Sequence, residues 1–154
     1  MIRPGAWRSI SLESAVSVNK ALDDFPSWLG DPRSLELWDR SVAHVDITSS
    51  GGWGVGSTFT TVGHPRGGRP GRISSYRVRR LDRTVNEVEL VDSPVFERAV
   101  WTFSFVPQAQ RTKITCRIDL RTRPRYVFLA WLLKVQTRAI QQDLDQLKRV
   151  IEHG

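Results

Sequence analysis

Four polar side chains of this chain share strand faces with apolar residues: Arg72, Ser74, Tyr76 and Glu97. Counted in twos, Tyr76 shares its face with Arg72, Ser74 and Val78, and Glu97 shares its face with Trp101 and Phe103. A polar group held among apolar neighbours needs either a partner or a task. A Glu97 carboxylate in that setting has its pKa raised by apolar neighbours and becomes a general acid or base. A Glu97–Arg72 ion pair is the purely structural alternative.

The other reactive residue types carry less. His44, His64 and His153 fall in a strand, a glycine-rich turn and the last few residues, a scatter that gives no metal-ligand spacing, so no metal and no cofactor is expected. The only cysteine, Cys116, excludes an internal disulfide and a cysteine-built metal site, and its place in an alternating segment makes it a small buried side chain. The run Gly51-Gly-Trp-Gly-Val-Gly56 lacks the following Lys and helix of a phosphate-cradling loop, so it is a strand-to-strand turn. No Gly-x-Ser-x-Gly nucleophile elbow occurs.

Charge is uneven. The net charge is +7, and Arg66, Arg69, Arg72, Arg77, Arg79, Arg80 and Arg83 lie close together, opposed within that stretch only by Asp82. Such a cluster suits nucleic acid, anionic lipid or an acidic ligand, or is simply solvated surface. Tyr76 is the only aromatic residue between His64 and Arg83, so the stack of rings typical of single-strand binders is missing. Helix-turn-helix and zinc-finger spacings are missing too, and nucleic acid is the weakest of these partners.

The elements that must position these groups follow from periodicity. Trp7–Leu12 alternates as a first strand, and Ser11 or Ser14 then caps a short helix reaching Asp24; a second short helix ends near Trp38. From there the period is two. Strands are predicted over Val42–Thr48, Ser57–Val62, Arg72–Leu81, Val85–Val91, Val95–Val106 and Thr112–Leu120, with turns too short for parallel crossovers. Arg125–Glu152 closes the chain as one long helix with Pro124 in its first turn. Its stripe Leu133, Ile140, Leu144, Leu147 and Ile151 faces the sheet. A second stripe, Phe128, Trp131 and Val135, is expected to be covered by the short N-terminal helices; a portal, a membrane contact or a homodimer contact are the alternatives. The apolar run Tyr126–Leu133 is shorter than the roughly 20 residues that span a bilayer. The first residues carry no signal-peptide core, which makes the cytoplasm the default location. The 154 residues, 40% hydrophobic and 25% charged, are expected to form one domain over 1–154.

The order of elements, with Ser9–Leu12, Trp38-Asp39, Gly54-Val-Gly56-Ser57, Tyr76-Arg-Val78 with Leu81-Asp82, Trp101-Thr-Phe103 and Ile140…Asp143-Leu144…Leu147-Lys148, resembles the Bet v 1-like START/SRPBCC superfamily. The likeness is strongest to its bacterial polyketide cyclase/dehydratase and lipid-transport-like group. It implies an α+β helix-grip fold, in which a curved antiparallel sheet wraps the C-terminal helix and leaves a hydrophobic cavity. It also implies a small hydrophobic ligand such as a lipid, sterol or polyketide. A cyclase or dehydratase using Tyr76, Arg72 or Glu97 is the alternative, since the superfamily has no single catalytic signature. The expected lining is Phe59, Tyr76, Val78, Val88, Leu90, Trp101, Phe103, Ile114, Cys116 and Ile118, facing Leu129, Leu133 and Ile140, with Trp53 at the edge.

Overall fold

Strict alternation makes the longest strands. In a computed structural model, which describes residues 9–133 and 137–153, β7 (Arg111–Thr122) buries Thr112, Ile114, Cys116, Ile118, Leu120 and Thr122 and turns the residues between them outward. Six more strands surround it: β1 (Ser9–Val18), β2 (Val42–Ile47), β3 (Thr58–Gly63), β4 (Ile73–Leu81), β5 (Val85–Val91) and β6 (Phe96–Gln108). All neighbours are antiparallel, in the order β1-β7-β6-β5-β4-β3-β2. β2 to β7 therefore form a meander, and β1 returns to pair with its last strand.

The first strand is longer than its sequence suggests. β1 pairs with β7 from Ser9↔Arg121 to Val18↔Thr112, and Ser14 sits buried inside it opposite Cys116 rather than capping a helix. The expected helix to Asp24 is reduced to a single 3-10 turn at Leu22–Asp24. Two further 3-10 turns, Ser27–Gly30 and Pro32–Ser34, lead into the short helix α1 (Leu35–Trp38). The side chain of Asp31 accepts the Arg33 N–H at 2.9 Å and starts the last of these turns.

The predicted closing helix is described as α2 (Val127–Leu133), entered through a 3-10 turn at Pro124–Tyr126, and α3 (Thr137–His153). Val135 and the side chain of Trp131 lie outside the described residues. Phe128 is 62% exposed, which overturns the expectation that it is covered. Leu144, Leu147 and Ile151 of α3 are buried against Ile10, Leu12, Val18, Ile114 and Leu120, so the sheet grips this helix as its stripe predicts. Polar contacts fix its register on β1. Gln141 Nε2 donates to the Ala15 carbonyl (3.3 Å) and Lys148 Nζ to the Ser17 carbonyl (2.8 Å). Lys20 Nζ reaches the Ile151 carbonyl at 3.0 Å, where a cation complements the negative end of the helix.

The outer face of the sheet carries cross-strand ion pairs: Arg77–Glu89 (3.5 Å), Arg79–Glu87 (3.4 Å) and Arg121–Glu97 (2.9 Å). Between β3 and β4 the chain forms a small finger. Arg66 and Arg69 exchange backbone hydrogen bonds of 3.1 and 2.9 Å around Gly67 (φ 55°) and Gly68 (φ 75°). Those two positive angles are what a tight hairpin turn of this kind requires. At the root of the finger Gly71 passes so near Gly63 that a Cβ on Gly71 would collide with the Gly63 carbonyl.

Candidate functional site

Pairing across the meander sets aromatic rings side by side on the concave face. Phe59 of β3 is the register partner of Tyr76 of β4, and their rings stack at 5.2 Å with an 18° tilt. Tyr76 in turn meets the edge of Trp101 at 5.5 Å, and Trp53 of the glycine-rich loop leans on Phe59 at 5.9 Å. Phe103, opposite Cys116, receives Trp38 of α1 edge-on at 5.6 Å. Rings in stacked and edge-to-face contact make a rigid wall, because each has two torsions and both are fixed by a neighbour.

The wall bounds a cavity of about 430 Å3 between the sheet, α1 and the first half of α3. Its apolar part comes from Phe59, Val88, Leu90, Phe96, Trp101 and Phe103 on the sheet, with Leu35 and Trp38 of α1 and Ile140 and Leu144 of α3 opposite. Its polar part is local: Thr61, Ser74, Tyr76 and Arg72 on one wall, Asp39, Ser41 and Asp143 on the other. The cavity reaches the surface where Ser41 and Arg72 are exposed; its other lining residues are buried or half-buried.

Asp143 is the most perturbed carboxyl in this lining. Burial pushes it up to about 6, the negative charge of nearby Asp39 adds to the rise, and the N–H and charge of Arg40 oppose it. The Arg40 N–H donates to Asp143 Oδ1 at 3.2 Å, while Asp39 Oδ1 accepts from the Ser41 N–H (2.9 Å) and hydroxyl (2.7 Å). Near neutral pH Asp143 thus exchanges a proton readily. Burial raises Tyr76, whose hydroxyl faces Thr61 and Ser74, so it stays a neutral hydrogen-bond donor. Burial pushes the Cys116 thiol up to about 12, with Asp143 and Asp39 contributing, and leaves it unreactive. Trp38 presents a further polar atom: its buried indole N–H has no partner among the described residues. A buried donor left in a cavity wall is a place for a ligand acceptor.

Of the residues singled out by sequence, the structure brings Phe59, Tyr76, Leu90, Trp101, Phe103, Cys116 and Arg72 together around the cavity, with Val88, Ile118 and Ile140. Glu97 is corrected. A bulge between Phe96 and Arg98 breaks the alternation, so Phe96 faces the cavity and Glu97 pairs with Arg121 at 2.9 Å on the outer face. Arg72, its partner in the purely structural alternative, lines the cavity instead. Val78 lies past the end of the cavity, exchanging backbone hydrogen bonds of 2.9 Å with Ser57 and Gly56. Ile114 is wholly buried in the core, Leu133 packs on that core, and Leu129 is half-buried away from the lining. His44 sits outside, its ring 3.0 Å from both Glu36 and Asp46, and its pKa is raised first by the Asp46 contact. Among the described residues no cluster of His, Cys, Asp or Glu could hold a metal ion.

Asp143 and Trp38 were not anticipated as site residues. The signal for Asp143 was present: it interrupts an otherwise apolar stripe, three residues after Ile140 and four before Leu147.

A seven-stranded antiparallel sheet closed on a C-terminal helix, with a cavity between them, defines the helix-grip class of the Bet v 1/START/SRPBCC superfamily. Within it the chain belongs to the polyketide cyclase / dehydrase and lipid transport family, whose model matches residues 9–152. No curated protein matches the sequence significantly. Solved structures share the fold at low identity. An aromatase/cyclase from a Streptomyces species is 19% identical, with a TM-score of 0.71 and 94% of each chain covered. A truncated norcoclaurine synthase from Thalictrum flavum is 18% identical, with a TM-score of 0.72 and 95% of each chain covered. StfQ, the di-domain ARO/CYC of the steffimycin biosynthetic pathway, is 12% identical with a TM-score of 0.76; the match covers 96% of this chain but only 52% of StfQ. The chain therefore spans about half the length of that di-domain protein.

Proposed function

We propose that the protein, as one START/SRPBCC-like domain over residues 1–154, binds a small, largely aromatic or polycyclic hydrophobic molecule in the cavity between sheet and α3. The observation that carries this reading is the continuous wall of Phe59, Tyr76 and Trp101 around about 430 Å3 of space. That volume is within the usual range for small-ligand sites. Flat ring surfaces fixed in place favour a flat partner, since they lose little side-chain freedom on binding. The lining also carries polar groups, among them Asp143, Tyr76 and Arg72, so a ligand with oxygen atoms at matching positions is oriented rather than merely dissolved. Membership of the family supports a ligand of this kind.

Catalysis on the same ligand is the second reading, and Asp143 is the observation that favours it. A carboxyl pushed up to about 6, in a cavity that Tyr76 and Arg72 also line, can exchange protons with a carbonyl compound, which is what cyclisation or dehydration of a polyketone requires.

Leu90→Trp tests the binding reading by filling the cavity. A polarity-sensitive naphthalene sulfonate dye is expected to bind the wild type with one-to-one stoichiometry and to be displaced by aromatic polyketide extracts. The filled variant, folded by circular dichroism, should lose the site. Equal dye binding by Leu90→Trp and wild type defeats the proposal.

A further inference from the structure

The arginine cluster divides into two sets once its partners are known. Arg77, Arg79, Arg80 and Arg83 each face a carboxylate, namely Glu89, Glu87, Asp82 and Asp23. Arg66, Arg69 and Arg72 face none among the described residues. Arg66 and Arg69 stand on the exposed finger between β3 and β4, and Arg72 stands at its root. Within this cluster the charge that meets no carboxylate is thus gathered at one end of the sheet.

The same end carries the opening of the cavity, since Arg72 and Ser41 are its exposed lining residues. It also carries apolar surface. β7 ends there, with Thr122 paired to Phe96 of the cavity wall, and the chain passes through Arg125 into α2, where Phe128 is 62% exposed. Ile73, at the foot of the finger, is 69% exposed.

We propose that this end of the molecule docks on a bilayer containing anionic lipids, with the 63–72 finger on the headgroups and the cavity mouth facing the membrane. Three features single out a lipid surface. The finger offers charge and backbone but no Phe, Trp, Tyr or large aliphatic side chain from His64 to Gly71, so it lacks the buried anchors on which protein interfaces depend. The His64 imidazole is its one ring able to stack on a base, where single-strand binders interleave several. Its two arginines, spaced by a rigid glycine turn, suit a diffuse negative surface, to which each basic group adds roughly a five-fold gain in partitioning. Exposed Phe128 then supplies an apolar contact at the interface. The mouth position lets a poorly soluble ligand pass between membrane and cavity with little exposure to water. That last step rests on the ligand-binding reading; the docking itself does not.

The test is co-sedimentation of the full chain with phosphatidylcholine vesicles, with and without phosphatidylserine, at low and physiological salt. The wild type should sediment only with the phosphatidylserine vesicles and should release as salt rises. Arg66→Gln/Arg69→Gln should lower partitioning by about twenty-five-fold, while Arg117→Gln, which removes an exposed arginine of β7 paired with Asp119 at 3.2 Å, should leave it nearly unchanged. Neither residue of the double variant lines the cavity, so its dye binding should equal the wild type's; this separates failure of docking from failure of the ligand site. Wild type remaining in the supernatant overturns the proposal. So does equal loss in Arg117→Gln, or capture by polyglutamate without capture by vesicles, which would point to an acidic protein.

Discussion

Replacing Asp143 by Asn removes the ionisation of a carboxyl that the fold holds against its preference for charge. The amide keeps an oxygen for the Arg40 N–H, 3.2 Å away in the wild type, so the local hydrogen bond survives. In the folded chain the group titrates near 6; unfolded, it returns towards 3.8. Between those values the native state binds more protons than the unfolded state, so wild-type stability falls as pH rises through the window and is level above it. A rise of that size in a dry site corresponds to about 3 kcal/mol. Asp143 is only half-buried, and solvent screening reduces the effect to about 1 kcal/mol. The variant should therefore be more stable than wild type by about 1 kcal/mol at pH 7.5. The two should converge as pH falls to about 4, where both carry a neutral side chain. Urea unfolding followed by tryptophan fluorescence reads this as a midpoint shift of about 0.5 M at pH 7.5, for a slope near 2 kcal/mol/M. A difference that does not change between pH 4 and 7.5 would refute the reasoning, and so would a variant that is less stable at the upper end.

Cys116 should resist thiol reagents at pH 8 in the native protein and react at an ordinary rate in urea, because burial holds its thiol at about 12; native labelling as fast as free cysteine would contradict its placement in the wall. Gly71→Ala should cost more than about 2 kcal/mol, a fall in Tm of about 4–8 °C, because its Cβ would meet the Gly63 carbonyl. Gly54→Ala, with open space around the added methyl, should leave the Tm nearly unchanged, and equal losses in the two variants would remove the crossing as the cause.

Regular alternation made most of the sheet legible. β5 appears over the predicted residues, and β7 differs from expectation by one residue at its start and two at its end, since nothing in Thr112–Leu120 interrupts the period. Where the period is broken, so was the inference. Ser14, a polar residue at an inward position, reads as a helix cap although it continues β1, and only the opposing β7 backbone decides between the two. Parity alone puts Glu97 on the inner face, and a one-residue bulge reverses it. The Asp39–Asp143 proximity joins residues more than a hundred positions apart, so no local pattern could announce it. The ring wall was partly legible, because Phe59, Tyr76 and Trp101 share inward parity; that they touch in sequence across four strands, β3 to β6, depends on register.

The pairing of β1 with β7 has a kinetic consequence. Ser9 meets Arg121 and Val18 meets Thr112, so the edge strand synthesised first waits for the strand synthesised last. Local turns can zip β2 through β7 in succession, whereas closing β1 onto them must overcome the entropy of a loop spanning most of the chain. Helix α3 lies along β1 and draws its register from the Ala15 and Ser17 carbonyls, so its final seat depends on the same closure. Completion of the cavity is thereby coupled to contacts between the two ends of the described chain, a topology associated with folding in milliseconds to seconds rather than microseconds.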